Sequence, residues 1–106
     1  MRTRSALDAE IKSELRRRVT ALKPCAYAEL LALPEAHTES AAVLGRAVKF
    51  TTFREPHSNG RLLILVRSDR PMFLGLGSSG TTEGFWVEPS GVKKEAMFEE
   101  IAEYYA

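Results

Sequence analysis

Apolar residues recur at helical spacing near the start of the chain. One stripe of a helix, at about 100° per residue, holds Leu7, Ile11, Leu15, Val19 and Leu22. Ser5 is a good N-cap residue, and Asp8 three positions later completes a near-capping box. Pro24 disfavours helical angles at the residue before it. We therefore predict a first helix from Ala6 to Ala21.

A second, shorter helix is predicted directly after the first. It begins at Cys25 or Ala26 and ends at Ala32, because Pro24 suits a first helical turn and Pro34 stops the pattern. The polar stretch that follows, from Pro34 to Ser40, is predicted to be a seam between a helical third and a strand-rich middle.

The middle of the chain has the alternation and the turn residues of strands. The predicted strands are Val43–Phe53, Arg61–Arg67, Met72–Gly77 and Thr82–Glu88. Gly45 marks a bulge or the true start of the first strand. The predicted turns are Pro56–Gly60, Ser68–Pro71 and Ser78–Thr81. Because all the connections are short, the strands are expected to form an antiparallel meander.

The run from Leu62 to Val66 is apolar at every position. Leu62, Ile64 and Val66 are therefore expected to be buried on one face of the sheet, and Leu63 and Leu65 on the other. The first helix is expected to pack on one of these faces.

Helix-forming residues dominate the end of the chain, and they predict a last helix over Val92–Tyr104. The predicted order is ααββββα, two N-terminal helices followed by a four-stranded antiparallel β-meander and a C-terminal helix. This is a single α+β domain over residues 1–106.

Composition and charge exclude several classes of protein. The chain has 106 residues, 27% of them charged, and a formal net charge of +1, which is ordinary for a folded globular domain. The longest apolar run is far too short to cross a membrane, and no apolar segment resembles a secretory signal. Cys25 is the only cysteine and cannot form an internal disulfide. We therefore expect a cytoplasmic protein.

No set of residues with catalytic or metal-binding spacing is found. Cys25, His37 and His57 are widely separated, so no cofactor and no metal are expected. The glycine-rich segment Gly75–Gly80 lacks the lysine and the following helix of a phosphate loop. It favours a hairpin turn, and the alternative is a small-ligand-binding or enzymatic domain built around it.

The first 23 residues hold seven of the basic side chains and only three acids. Positive charge near a helix C-terminus is favoured by the helix dipole, which explains the cluster structurally. The alternative is a nucleic-acid-binding protein that uses Arg4, Lys12, Arg16 and Arg17. We expect no specific binding to nucleic acid.

The aromatic residues suggest a different partner. Phe85 and Trp86 are adjacent, so in a strand they point to opposite faces. A sheet that is apolar on both faces favours binding to another protein or formation of a homodimer. The candidate partner-binding residues are Phe53, Phe85, Trp86, Tyr104 and Tyr105. The sequence therefore favours a non-enzymatic protein-interaction or regulatory module, of an accessory, inhibitor or immunity-like kind.

Overall fold

The computed structural model describes residues 2–71 and 78–101, and the side chains of 6–70, 80–97, 99 and 101 within them. The helices are α1 (Arg2–Leu22), α2 (Tyr27–Leu31) and α3 (Phe98–Ile101). The strands are β1 (Ala36–Val43), β2 (Arg46–Pro56), β3 (Leu62–Pro71), β4 (Ser78–Val87) and β5 (Lys93–Glu95), and a 3₁₀ turn spans Ser58–Gly60. All five strands form one antiparallel sheet in chain order. The predicted α+β class and the antiparallel meander are confirmed, with five strands in place of four.

The main core lies between α1 and one face of the sheet, which we call the helical face. Its buried residues come from α1, α2 and β1–β4: Leu7, Ile11, Leu15, Val19, Leu30, Val43, Val48, Phe50, Leu62, Ile64, Val66, Phe85 and Val87. The apolar stripe of the sequence is the buried side of α1, as predicted. The helix begins at Arg2, so Ser5 lies inside it and is not its N-cap.

A smaller core lies on the other face of the sheet, which we call the second face. Leu63, Leu65 and Trp86 are buried there with Ile101 of α3, and Phe53 and Ala96 pack against them. The apolar run of β3 is therefore buried alternately on the two faces, as its sequence predicts.

The first half of the sheet differs from the prediction. The polar stretch predicted as a seam forms β1 from Ala36 onward, and the predicted strand Val43–Phe53 is interrupted by a two-residue hairpin turn. Leu44 and Gly45 both have positive φ, 49° and 77°, as such a turn requires. The alternation of β1 is hidden in the sequence because only Val43 is buried among its side chains.

The next two differences are at the far end of β3 and β4. Ser68–Pro71 and Ser78–Thr81 were predicted as turns, but both belong to strands and pair with each other. The Ser68 hydroxyl donates to the Thr81 carbonyl at 3.4 Å and accepts from its N–H at 3.3 Å. Polar residues therefore extend the sheet there. The predicted strand Met72–Gly77 lies outside the described residues.

The predicted last helix is only partly helical. Lys93–Glu95 forms β5, and α3 begins at Phe98. The Ala96 N–H donates to the Gly84 carbonyl at 3.3 Å, so pairing with β4 overrides the helix-forming tendency of these residues. Residues 102–106 lie outside the described part of the chain.

Gly84 leaves no room for a side chain between β3 and β4. A Cβ there would lie 2.2 Å from the Ile64 carbonyl oxygen and 2.6 Å from Leu65 Cδ2. We expect Gly84→Ala to lower the free energy of unfolding by about 1–3 kcal/mol, because the two strands must separate to admit the methyl group. Urea denaturation checks this, and an unchanged midpoint would show that the strands are not so closely apposed.

Candidate functional site

β1 is an outermost strand of the sheet, and its outer edge pairs with no strand in the described part of the chain. It is eight residues long, and six of its side chains are exposed. An unpaired edge strand presents backbone N–H and C=O groups that can pair with another strand. This edge is the candidate site.

The hydrogen-bond pattern shows which residues of β1 face outward. The Arg54 N–H donates to the Glu35 carbonyl at 3.0 Å, which makes this a hydrogen-bonded pair. Val43 and Arg46 flank the two-residue turn, and the residues at these positions of a hairpin also form a hydrogen-bonded pair. Hydrogen-bonded pairs occur at every second residue of an antiparallel ladder. The odd-numbered residues of β1 therefore bond to β2.

The even-numbered residues direct their backbone groups away from β2 and toward the open edge. They are Ala36, Thr38, Ser40 and Ala42. Their side chains are all short and exposed, and they lie on the second face of the sheet with Phe53. The Thr38 hydroxyl is hydrogen-bonded to the Thr51 hydroxyl at 2.9 Å. On the second face, the side chains of β1 itself therefore place no bulky group beside this edge.

The opposite end of the sheet is different. β5 has three residues, Lys93, Lys94 and Glu95. Lys94 lies 3.6 Å from Glu88, and Glu95 is paired with Lys23. A short, charged strand is a common protection against edge-to-edge pairing. β1 is longer, it contains neither lysine nor proline, and its single carboxylate, Glu39, is held by Arg18 on the helical side.

A network of ion pairs fixes the helical side of β1 to α1. Arg18 donates to Glu39 of β1 at 2.7 Å and to Glu14 at 2.8 Å, and its guanidinium lies 4.5 Å from the centre of the Phe50 ring. His37 Nε2 is 3.6 Å from Glu39. β1 is therefore held in place on the side that faces the helix, while no strand among residues 2–71 and 78–101 pairs with its outer edge.

The same network lowers the pKa values of two carboxyl groups. The hydrogen bond from Arg18 lowers the pKa of Glu39 below its usual 4.5. The hydrogen bonds from Arg17 and then Arg18 lower the pKa of Glu14 in the same way, against the opposing effect of burial. Both carboxylates are therefore stabilised in their ionised form by the fold.

Stability is expected to fall in acid because of these two carboxylates. Their pKa values are lower in the folded chain than in the unfolded one, so their contribution is complete above about pH 4.5 and is lost as the pH falls through the lower folded values. Urea midpoints at pH 6 and pH 3 measure the loss. Glu14→Gln should lose less stability than the wild type over this range, and an equal loss would contradict the role of Glu14.

Two of the five predicted partner-binding aromatics are buried. Phe85 is 0% exposed in the main core, and Trp86 is 8% exposed on the second face. The Trp86 ring lies 4.2 Å from the Arg61 guanidinium and 4.8 Å from the His57 ring. Phe53 is half-buried. Tyr104 and Tyr105 lie outside the described residues. Phe85 and Trp86 therefore leave almost no surface for a partner.

The basic residues of α1 come together but are largely matched by acids. Lys12, Arg16 and Arg17 line one shallow groove along the outer side of the helix, with no aromatic residue among its lining. Arg16 lies 3.4 Å from Glu83, and Arg17 lies 2.5 Å from Glu14. The side chain of Arg4 is outside the described part of the chain. The groove is therefore less positive than the sequence suggests.

The end of the glycine-rich segment borders a cavity of about 250 Å³. It is lined by Asp8, Ile11, Lys12, Val48, Ser68, Arg70, Gly80 and Thr81. Cys25 and His57 lie at the opposite end of the sheet, next to Lys93 and Trp86. The cavity therefore brings neither of them to Gly80, and within the described ranges no three His, Cys, Asp or Glu side chains form a metal-binding group.

The comparisons with known proteins add no assignment. No protein family, no characterised protein and no solved structure matches this chain. No helix in residues 2–71 and 78–101 is long and apolar enough to span a membrane. Sequence analysis missed the β1 edge. Its one available signal was Gly45, which was predicted as a bulge or a strand start and lies in the hairpin turn between β1 and β2.

Proposed function

We propose that this protein is a non-enzymatic protein-interaction or regulatory module that binds a strand of a partner protein along the β1 edge. An accessory, inhibitor or immunity-like role is compatible with such binding. The single cysteine supports a reducing compartment, and we place the protein in the cytoplasm.

The outward-facing backbone of β1 carries this proposal. Strand addition to an open edge derives its affinity from main-chain hydrogen bonds and its specificity from side chains on alternate positions. Each hydrogen bond contributes a net of about 0.5–1.5 kcal/mol, and association itself is costly. We therefore expect moderate affinity, on the order of micromolar.

Amide hydrogen exchange at Thr38 and Ser40 tests the proposal. The chain is compared at low concentration, at high concentration, and with two eight-residue probe peptides, one with the β1 sequence and one of alternating threonine and valine. Relative to the chain alone at low concentration, we expect at least one of the other three conditions to slow exchange of both amides by about tenfold, because pairing protects them.

The inward amides of Glu39 and Ala41 are the internal control, since they bond to β2 in every condition. Fast exchange at Thr38 and Ser40 in all four conditions would refute strand addition at this edge.

Nucleic-acid binding is the second candidate, because Lys12, Arg16 and Arg17 share one groove. Their acidic neighbours oppose it, so any binding is expected to be weak and to disappear with added salt. Fluorescence anisotropy of labelled DNA and RNA over a salt series measures this. Tight, sequence-dependent binding at physiological salt would favour this candidate over strand addition.

A further inference from the structure

We propose that the strand that pairs with β1 is β1 of a second copy of this chain, antiparallel, with Thr38 opposite Thr38 on the two-fold axis. This inference rests on the proposed function and names the partner of the same edge. It is argued from symmetry, from the phase of the hydrogen bonds and from charge.

Symmetry limits the possible registers. Two antiparallel edge strands are related by a two-fold axis perpendicular to the sheet, so the helical faces of both copies lie on the same side. Residues directly opposite each other must then share a face. Even-numbered residues therefore oppose even-numbered ones, and one residue lies directly opposite its own copy, with the two-fold axis midway between the two. Near the middle of β1, that residue is Thr38, Glu39 or Ser40.

The register centred on Glu39 is unfavourable. It places the Glu39 carboxylate directly opposite the same carboxylate of the second copy, and like charges at opposed positions are destabilising. Glu39 stays ionised because Arg18 donates to it at 2.7 Å.

The registers centred on Thr38 and on Ser40 form equivalent sets of backbone hydrogen bonds, since either residue directs both of its backbone groups outward. They differ in side chains. An axis at Ser40 sets Glu39 opposite Ala41 and His37 opposite Val43. An axis at Thr38 sets His37 of each copy opposite Glu39 of the other.

The Thr38 register is therefore the self-complementary one. His37 and Glu39 lie on the same face within one chain, with Nε2 3.6 Å from the carboxylate, so two copies form a cluster of two imidazoles and two carboxylates. An imidazole N–H donates to a carboxylate whether or not the ring is charged. Opposed pairs of this kind stabilise an antiparallel ladder.

Disulfide trapping identifies the residue on the axis. Thr38→Cys, Ser40→Cys and Ala42→Cys are prepared in a Cys25→Ser background, and all three replace short, exposed, outward-facing residues. In the proposed dimer, the two copies of residue 38 have Cα atoms about 5.5 Å apart, within disulfide range. The two copies of residue 40 are separated by four residues along the strand, roughly 14 Å.

We expect Thr38→Cys to form the disulfide dimer at least about tenfold faster than Ser40→Cys or Ala42→Cys, because only its thiols lie within bonding distance. Faster trapping by Ser40→Cys would move the axis and overturn the register. Equal rates for all three would overturn pairing with a second copy.

Charge substitutions at His37 provide a second test of the Thr38 register. His37→Glu should weaken the dimer about tenfold relative to His37→Lys, since residue 37 opposes Glu39. Equal dimerisation of the two variants would contradict the Thr38 register. Protection of Thr38 and Ser40 by a probe peptide but not by high chain concentration would leave strand addition standing and refute only the second copy.

Discussion

Leu15→Ala is expected to lower the free energy of unfolding by about 2–5 kcal/mol. Leu15 is 0% exposed and lies at the middle of the α1 stripe that packs on the sheet. The substitution removes three carbon atoms and leaves a cavity between α1 and the helical face of the sheet. The closely packed strands can fill this cavity only in part. Urea denaturation monitored by circular dichroism measures the change.

Leu31→Ala is the matched control, because Leu31 is 46% exposed on α2. We expect this variant to lose well under half of what Leu15→Ala loses. Equal losses would mean that α1 does not pack on the sheet as described.

Ala41→Pro is expected to destabilise the fold strongly, whereas Ser40→Pro is expected to leave most of its stability. Ala41 opposes Val48 in a hydrogen-bonded pair, so proline removes a donor to β2 and leaves a carbonyl of β2 without its partner. The expected loss is at least about 2 kcal/mol. The Ser40 N–H points to the open edge, where proline is tolerated.

Thermal unfolding of the two proline variants checks this contrast. Ser40→Lys, which keeps the N–H and adds only a charge at the edge, shows whether any loss in Ser40→Pro comes from proline itself. A larger loss of stability for Ser40→Pro than for Ala41→Pro would mean that the even-numbered residues of β1, and not the odd-numbered ones, bond to β2.

The parts of the fold that the sequence predicts are those whose hydrophobic residues are buried in a regular pattern. The stripe from Leu7 to Leu22 has a helical period because α1 buries a single face, and the continuous apolar run of β3 reflects burial on both faces of the sheet. In both elements the pattern of hydrophobic residues is a direct record of burial.

The elements at the edges of the sheet could not be predicted in the same way. β1 has only Val43 buried, so its residues show no alternation, and β5 is three charged residues within a stretch of helix formers. Their strand conformation depends on hydrogen bonds to β2 and β4, which are distant pairings that local composition does not record.

The candidate site was difficult to predict for a related reason. Aromatic residues that a sequence places on an uncovered face are the usual sign of a partner surface, and this argument selected Phe85 and Trp86. Those rings fill the two cores instead. An open strand edge is made of backbone groups and small side chains, so it becomes visible only once the order of the strands is known.

Sedimentation equilibrium of the wild type and Ser40→Pro over a dilution series tests the central claim most directly. The wild type is expected to shift with rising concentration from 11.8 kDa to twice that mass. Ser40→Pro is expected to remain a monomer, because it loses the outward N–H that would bond to Ala36 of the second copy and places a proline ring at the edge. A wild-type chain that stays at 11.8 kDa at about millimolar concentration, or a Ser40→Pro variant that dimerises equally well, would contradict self-pairing through β1.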